Sequence, residues 1–126
     1  MRVISQKVKK KILADPFYSR CCITGLSSAE AKIDWHHNLI YAGRQVDEKW
    51  TILPLAETYF GLNFHKYHQG ISPAVQERMD WIMLNRGTDE DLKKYSKCVD
   101  LMTKRKKLND KYGPYDPSKF TLNPFI

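Results

Sequence analysis

Three patterns in the sequence predict an α+β fold. Residues 33–36 (IDWH) alternate between apolar and polar side chains, as a half-buried strand does. Residues 50–55 (WTILPL) form an apolar stretch that suits the returning strand of a hairpin. Apolar residues then recur at helical spacing over 75–83 and again over 92–102. The strands and the helices are therefore segregated along the chain, which is typical of α+β folds.

The N-terminal region predicts a short, very basic helix. Ile4, Val8 and Ile12 recur every four positions, and the helix is expected over residues 5–14. Asp15-Pro16 ends it, because a residue before proline avoids the helical conformation. Residues 20–25 (RCCITG) follow, and the closing glycine predicts a strand or a tight knuckle there.

The C-terminal half predicts two further helices. Ser72-Pro73 begins the first and Arg86-Gly87 ends it. Thr88 caps a long second helix that opens with acidic residues and closes with lysines, a distribution that complements the helix dipole. Its expected buried stripe comprises Leu92, Tyr95, Val99 and Met102, and Gly113-Pro114 stops it. A further helix is expected in the second half of residues 57–68. We therefore predict one domain over residues 1–113 and an extended tail over 114–126.

Length and composition limit the possible classes of protein. The 126 residues suit one domain with a modest core, and no apolar run approaches the ~20 residues that span a bilayer. The first residues carry positive charge without the apolar segment of a secretory signal, so a cytoplasmic protein without membrane association is expected. The three cysteines, Cys21, Cys22 and Cys98, are an odd number and include an adjacent pair, which favours a reducing compartment over a disulfide scaffold.

The charge of the chain favours a polyanionic partner. The net charge is +7, and the excess is concentrated at residues 7–11 and 104–107. Phosphates neutralised by such residues release condensed counterions, so nucleic acid, and DNA first of all, is the expected partner. The alternative is a basic protein whose charged helix faces are merely solvated, and residues 104–107 are most simply a charge cluster at a helix C-terminus.

All four histidines fall in two clusters, HH at 36–37 and HxxH at 65–68. Helical residues three apart share a face, so His65 and His68 could present two imidazoles to one ion. Adjacent strand residues point to opposite sides, which suggests that one of His36 and His37 binds a metal while the other moves protons or packs. A histidine has a reference pKa of about 6.5 and therefore suits a general base at neutral pH. The alternatives are a histidine pair stacked beside Trp35 and a solvated helix face carrying the second cluster.

The stretch IDWHHNLIYAGRQVDEKWTILPL, followed by HKYH, resembles the HNH (ββα-metal) endonucleases, and phage-type members above all. The resemblance covers residues 20–68. It implies a ββα-metal finger, here with a basic N-terminal helix and two C-terminal helices. It also implies His36 as a metal ligand, His37 as the general base, and His65 and His68 as the ligands available on the helix. One divalent ion (Mg²⁺, Mn²⁺ or Zn²⁺) is the implied cofactor, and Asp34 is an alternative ligand.

The chain departs from the family pattern at three places. Thr51 stands where the family has an asparagine that braces the loop bearing the base. Cys21-x-x-Thr24 and Ala56-x-x-Tyr59 stand where many members have two Cys-x-x-Cys pairs, so a structural zinc site is not expected. Phe60 stands where the first helix-borne histidine would align. Asn38 and Asn63 are the candidates to replace the missing asparagine.

The predicted function is a metal-dependent HNH-type DNA endonuclease, phage or prophage encoded by resemblance, that hydrolyses phosphodiester bonds. Lys9, Lys10, Lys11 and Arg44 are the expected nucleic-acid contacts. Arg44 suits a bidentate clamp on phosphate, but could equally pair with Asp47 or Glu48. Two alternatives stay open: a non-catalytic nucleic-acid-binding protein on a degenerate HNH scaffold, and a protein-interaction module that uses the C-terminal helices.

Overall fold

The computed structural model describes residues 4–56, 58–59, 62–63, 73–97 and 99–119. Helix α1 spans Gln6–Leu13, α2 Pro73–Arg86, α3 Asp89–Lys94 and α4 Leu101–Tyr112. The strands are β1 Ile33–His37, β2 Ile40–Tyr41, β3 Arg44–Gln45, β4 Ile52–Ala56, β5 Thr58–Tyr59 and β6 Leu62–Asn63. Two 3₁₀ turns lie at Pro16–Ser19 and Lys49–Thr51. The chain is thus a mixture of helices and small antiparallel sheets, which confirms the α+β class.

The predicted hairpin of β1 and β4 is confirmed. The two strands are antiparallel, with Ile33 opposite Ala56 and His37 opposite Ile52. Pro54 lies in the middle of β4, where the backbone amide of Cys22 donates to its carbonyl at 2.9 Å. The N and C=O of a residue in an antiparallel strand point to the same side, so the missing N–H of Pro54 faces the Cys22 segment and costs no β1–β4 hydrogen bond.

Helix α1 covers one face of this hairpin. Ser5 caps it, since its hydroxyl accepts from the Val8 amide at 3.3 Å. Val8 and Ile12 are buried in a small cluster with Tyr18 and Ile52. The Tyr18 hydroxyl donates to the carbonyl of Ile52 at 2.9 Å, and burial raises the pKa of Tyr18 to about 12. The basic helix predicted from the spacing of apolar residues is confirmed.

The opposite face of the hairpin packs against α2 and the main core. Leu53 and Leu55 of β4 belong to this core together with Met79, Trp81 and Leu84 of α2, and all five are nearly or fully buried. Gly87 ends α2, as predicted, and a Cβ there would lie 2.7 Å from a methyl of Leu92 and 2.8 Å from the Trp50 ring. The close approach of these two side chains therefore requires glycine.

The single long helix predicted after Thr88 is wrong, because the segment forms two helices. Thr88 caps α3 through a capping box with Asp91, as the acidic opening suggested. The helix then ends at Lys94, because the Ser96 hydroxyl donates a hydrogen bond to the carbonyl of Leu92. Asp100 caps the next helix, α4. These local side-chain bonds compete with helix continuation. Val99, predicted to be buried, is 54% exposed, whereas Leu101 and Leu108 are buried.

The helix predicted in the second half of residues 57–68 falls mostly outside the described residues. Thr58–Tyr59 pairs with Leu62–Asn63 in a small hairpin, so the start of this segment is extended. His65, His68 and Phe60 lie outside the described residues. Near the start of the tail beyond α4, the ring of Tyr115 packs edge-on against Trp81 at 5.4 Å between centroids. Among the described residues, no helix is long and apolar enough to cross a membrane.

Asp15 joins three separate parts of the fold. Its carboxylate lies 2.9 Å from Nζ of Lys49 and 3.1 Å from Nη2 of Arg86, and it caps the first 3₁₀ turn by accepting from the Phe17 amide. Burial by itself would raise the pKa of Asp15. The bonds to Lys49 and Phe17 and the charges of Lys49 and Arg86 outweigh that effect and lower the pKa below its ordinary value of 3.8.

The lowered pKa of Asp15 predicts a loss of stability in acid. The stabilisation is fully present above the ordinary pKa and disappears as pH falls through the lower pKa of the folded chain. Asp15→Asn keeps the capping oxygen but removes the charge, so it should lower the free energy of unfolding at pH 7 by about 1 kcal/mol. Urea unfolding from pH 7 to about pH 2.5 should show a shallower acid loss for the variant than for wild type. If the unfolding free energy of the two proteins fell in parallel with pH, the charge of Asp15 would not stabilise the fold.

Two leucines give a matched test of the core. Leu92 is fully buried beside Gly87, whereas Leu13 at the end of α1 is 69% exposed. Leu92→Ala should lower the free energy of unfolding by about 2–5 kcal/mol because it leaves a cavity. Leu13→Ala should change it by less than about 0.5 kcal/mol. Chemical denaturation measures both, and similar effects of the two substitutions would contradict the described packing.

Candidate active site

His36 and His37 end β1 and face opposite sides of the hairpin. Directly opposed residues of antiparallel strands project to the same face, so His37 shares a face with Ile52 and His36 with Leu53. Ile52 belongs to the cluster under α1, and Leu53 belongs to the main core that contains α2. His37 thus lies on the α1 side and His36 on the α2 side. The alternation predicted from the sequence places the two imidazoles in two different environments.

His37 is buried against a carboxylate. The residue is 8% exposed, and its Nε2 lies 3.7 Å from Oδ1 of Asp47. This distance exceeds a normal hydrogen bond but lies within the range of an ion pair when the imidazole is protonated. Asp47 is itself largely buried, and its other oxygen accepts from the backbone amide of Ser5 at 3.1 Å. The N-cap residue of α1 therefore helps to hold the Asp47 carboxylate beside the His37 imidazole.

Thr51 fixes the loop that carries Asp47. The residue is fully buried, and its hydroxyl lies 2.9 Å from the carbonyl of Val46 and 2.8 Å from that of Glu48. The single hydroxyl proton is shared between these two carbonyls, which flank Asp47. The Glu48 amide also donates to the Thr51 hydroxyl oxygen, at 3.4 Å. The carbonyl of Thr51 accepts from the Asn38 amide at 2.9 Å, which extends the strand pairing one step past His37. Thr51 thus braces the loop that carries Asp47.

Sequence reasoning missed both Asp47 and the role of Thr51. From the sequence alone, Thr51 stands as a departure from the family asparagine, although a hydroxyl can bond the backbone of a neighbouring turn as an amide can. Asp47 was considered only as a partner for Arg44. The E-x-x-T spacing of Glu48 and Thr51 could have predicted the role of Thr51, because the two residues form a capping box on the second 3₁₀ turn.

Asn38 links β1 to α2 rather than bracing the Asp47 loop. Its amide nitrogen donates to Asp80 at 3.0 Å, and its oxygen accepts from Gln76 at 2.9 Å. Gln76 also donates to Asp80 at 3.0 Å, and Lys104 of α4 lies 3.1 Å from the second oxygen of Asp80. This network ties the strand end beside the two histidines to the helix that follows the hairpin. The side chain of Asn38, one of the two candidates for the bracing asparagine, is thus bonded to α2.

The metal ligands predicted from the sequence are only partly described. His36 is half-buried on the α2 side, and His65 and His68 lie outside the described residues. Among the described residues, no group of three or more His, Cys, Asp or Glu side chains could hold an ion. Asp34, the alternative ligand, shares the face of His36, two residues earlier on β1. The convergence of the two histidine clusters stays a prediction.

The predicted nucleic-acid contacts occupy exposed positions. Lys9, Lys10 and Lys11 are exposed on α1, the helix that covers the His37 face. Arg44 is exposed in β3, just after the turn formed by Ala42 and Gly43, which both have positive φ. The two carboxylates considered as its partners are engaged elsewhere, Asp47 as described and Glu48 with the Tyr95 hydroxyl.

The segment of Cys21 and Cys22 forms a tight knuckle, one of its two predicted forms. The Gly25 amide donates to the carbonyl of Cys21 at 2.9 Å, and the Thr24 amide approaches the Cys21 sulfur at 3.4 Å. Both thiols are free and buried, and burial raises the pKa of Cys22 well above its ordinary value. These cysteines therefore act as small apolar side chains at this position.

Comparisons with known proteins add no relative: no family model, no curated protein and no solved structure matches the chain. The histidine motif and the geometry around His37 are therefore the features that indicate a function.

The brace predicts a specific effect of removing one hydroxyl. Thr51→Val keeps the shape of the side chain but removes the hydroxyl donor to the Val46 carbonyl, whereas the Glu48 carbonyl keeps its bond from the Thr51 amide. The variant should therefore cost about 1–3 kcal/mol of unfolding free energy. Thr51→Ser keeps the hydroxyl and should cost less. Denaturation gives the energies, and amide exchange of residues 46–48 should accelerate in the valine variant alone. Unchanged exchange in Thr51→Val would show that the hydroxyl does not hold the loop.

Proposed function

We propose that this chain is a metal-dependent HNH-type DNA endonuclease, with His37 as the general base and a ββα-metal finger formed by β1, β4 and a following helix. The observation that carries the proposal is the placement of two adjacent imidazoles on opposite faces of one hairpin, with His37 facing a braced carboxylate. This arrangement separates a proton-transfer group from a metal ligand, which hydrolysis of a phosphodiester requires.

Asp47 gives His37 the environment of a base. When the imidazole accepts a proton from the attacking water it becomes a cation, and a carboxylate 3.7 Å away stabilises that cation. Asp47 is a positioning residue in this proposal, because it acts through the imidazole. Thr51 and the Ser5 amide keep its carboxylate in place, so no loop has to rearrange when the proton arrives.

The metal would be held from the other side of the hairpin. His36 is the described candidate ligand, and His65 and His68 complete the proposed set. An imidazole donor suits Zn²⁺ or Mn²⁺, and Mg²⁺ would draw most of its ligands from water and phosphate. When bound, the ion polarises the phosphate and stabilises the leaving oxygen. The lysines on α1 and Arg44 are the proposed contacts to the DNA backbone.

The burial of His37 favours one alternative, a non-catalytic nucleic-acid-binding protein on the same scaffold. The side chain is only 3% exposed, which limits its access to an attacking water. Under this alternative the His37–Asp47 pair is structural, and the basic surface binds DNA without cleaving it.

A plasmid assay separates the two functions. Supercoiled DNA is incubated with the full chain and Mg²⁺, Mn²⁺, Zn²⁺ or EDTA. The nuclease should nick it with a metal and not with EDTA. His37→Ala should reduce the rate by about 100-fold or more while preserving the fold and metal binding. His36→Ala should instead weaken metal binding, as titration calorimetry would show.

Two results would exclude catalysis by His37: full activity of His37→Ala, or salt-sensitive DNA binding by wild type without nicking under any metal. The second result would support the non-catalytic alternative. Tyr112→Phe, in a helix remote from the hairpin in sequence, is a control for general effects of substitution, and it should cleave like wild type.

A further inference from the structure

The hairpin of β2 and β3 exposes an isoleucine next to the candidate active site. Ile40 is 69% exposed, so most of its apolar surface lies in water. It follows His37 by three residues, and Asp47 follows the last residue of the hairpin, Gln45, by two. A single exposed apolar residue is ordinary on a protein surface. Ile40 differs from such a residue because of the way in which its hairpin is held.

The hairpin is held at its base and closed by a tight turn. The Val46 amide donates to the Leu39 carbonyl at 2.9 Å, which extends the pairing of β2 and β3 by one step. Val46 is buried, and Leu39 packs against the main core. At the other end Ala42 and Gly43 both have positive φ, as a type I′ turn requires. The strand that carries Ile40 is therefore fixed at both ends.

The two faces of the hairpin have different surroundings. Tyr41 and Arg44 are directly opposed and project to one face, whereas Ile40 projects to the other. The Tyr41 ring packs edge-on against Tyr95, the residue that ends α3, at 5.1 Å between centroids. Tyr95 is itself held by a hydrogen bond from its hydroxyl to Glu48. The first face thus anchors the hairpin to the body of the protein, and Ile40 projects away from this contact.

Positive charge lies on both sides of the hairpin. The Ser5 amide donates to Asp47 at 3.1 Å, which brings the start of the basic helix α1 to the base of the hairpin. On the other side, Nζ of Lys94 lies 5.3 Å from the centroid of the Tyr95 ring that anchors the hairpin. Arg44 adds an exposed guanidinium on the hairpin itself. An apolar tip between cations matches a base step between its flanking phosphates.

We propose that Ile40 inserts into an opened base step of DNA, and that the preferred substrate of this chain is a duplex with a locally unstacked step, such as a bulge. An apolar side chain between two bases removes its own surface and theirs from water. Opening an intact step costs free energy, whereas a bulged step is already disrupted. The hairpin is held before DNA arrives, so its insertion loses little conformational entropy.

This substrate class rests on the proposed function for the identity of the partner, DNA, and not for the cleavage step. It can therefore be tested by binding alone. The cations around the tip would contact phosphates of any duplex, and Ile40 would add affinity only where a step is open.

The test compares a short duplex, the same duplex with a central bulge of unpaired adenines, and one of its single strands. Fluorescence anisotropy with the full chain is measured in EDTA, which prevents metal-dependent cleavage, and at one fixed salt concentration. The Kd of the bulged duplex should be at least about tenfold lower than that of the intact duplex, because less free energy goes into opening a step.

Two threonine variants give a matched pair. Ile40→Thr and Val99→Thr each keep a β-branched side chain at an exposed position and remove apolar surface, and Val99 is 54% exposed between α3 and α4. Ile40→Thr should reduce the preference for the bulge to about twofold or less. Its affinity for the intact duplex depends on phosphate contacts and should stay within about twofold of wild type. Val99→Thr should keep the full preference, as should Ile40→Leu, which retains the apolar side chain.

Several results would overturn the proposal. These are equal binding of the bulged and intact duplexes by wild type, tightest binding of the single strand, an unchanged preference in Ile40→Thr, or the same loss in Val99→Thr. None of them would affect the proposed nuclease if the plasmid is still nicked. Absence of binding to all three DNAs would overturn both proposals. A preference that depends on Ile40, without nicking under any metal, would support this inference and the non-catalytic alternative.

Discussion

The register of β1 against β4 is the constraint on which the candidate site depends. His37 lies opposite Ile52 and His36 opposite Leu53, and the next step of the ladder joins Asn38 to Thr51. A slip of one residue would exchange the faces of both histidines, because side chains alternate along a strand. The register is protected by the apolar residues of β4, which are buried on both faces. The division between a metal ligand and a base therefore follows from ordinary core packing.

Thr51 connects this register to the electrostatics of the site. The same residue that ends the ladder also holds the carbonyls on both sides of Asp47. The carboxylate beside His37 is further held by the first turn of α1, through the Ser5 amide. These hydrogen bonds hold the loop and one oxygen of the carboxylate, and the other oxygen faces Nε2 of His37 at 3.7 Å. A single hydroxyl thus holds the loop that carries Asp47.

Cations and aromatic rings organise the end of the molecule beyond the hairpin. Asp15 is shared by Lys49 and Arg86, and it joins the end of α1 to the second 3₁₀ turn and to α2. The Arg86 guanidinium in turn stacks on the ring of Phe17. One arginine thus joins the end of α2 to the first 3₁₀ turn through an ion pair and a ring contact.

Local patterns determined much of the secondary structure: alternation at residues 33–36 gave the first strand, and Thr88 and Gly113 mark helix ends as predicted. Periodicity failed at Val99, because the bonds of Ser96 and Asp100 break the helix without disturbing the apolar spacing. The two histidine clusters were visible in the sequence, but the partner of His37 was not. Contacts such as Asn38 with Asp80, 42 residues apart, are decided by packing of α2 against the hairpin. Sequence spacing encodes the geometry within one element, and only the tertiary structure determines which elements meet.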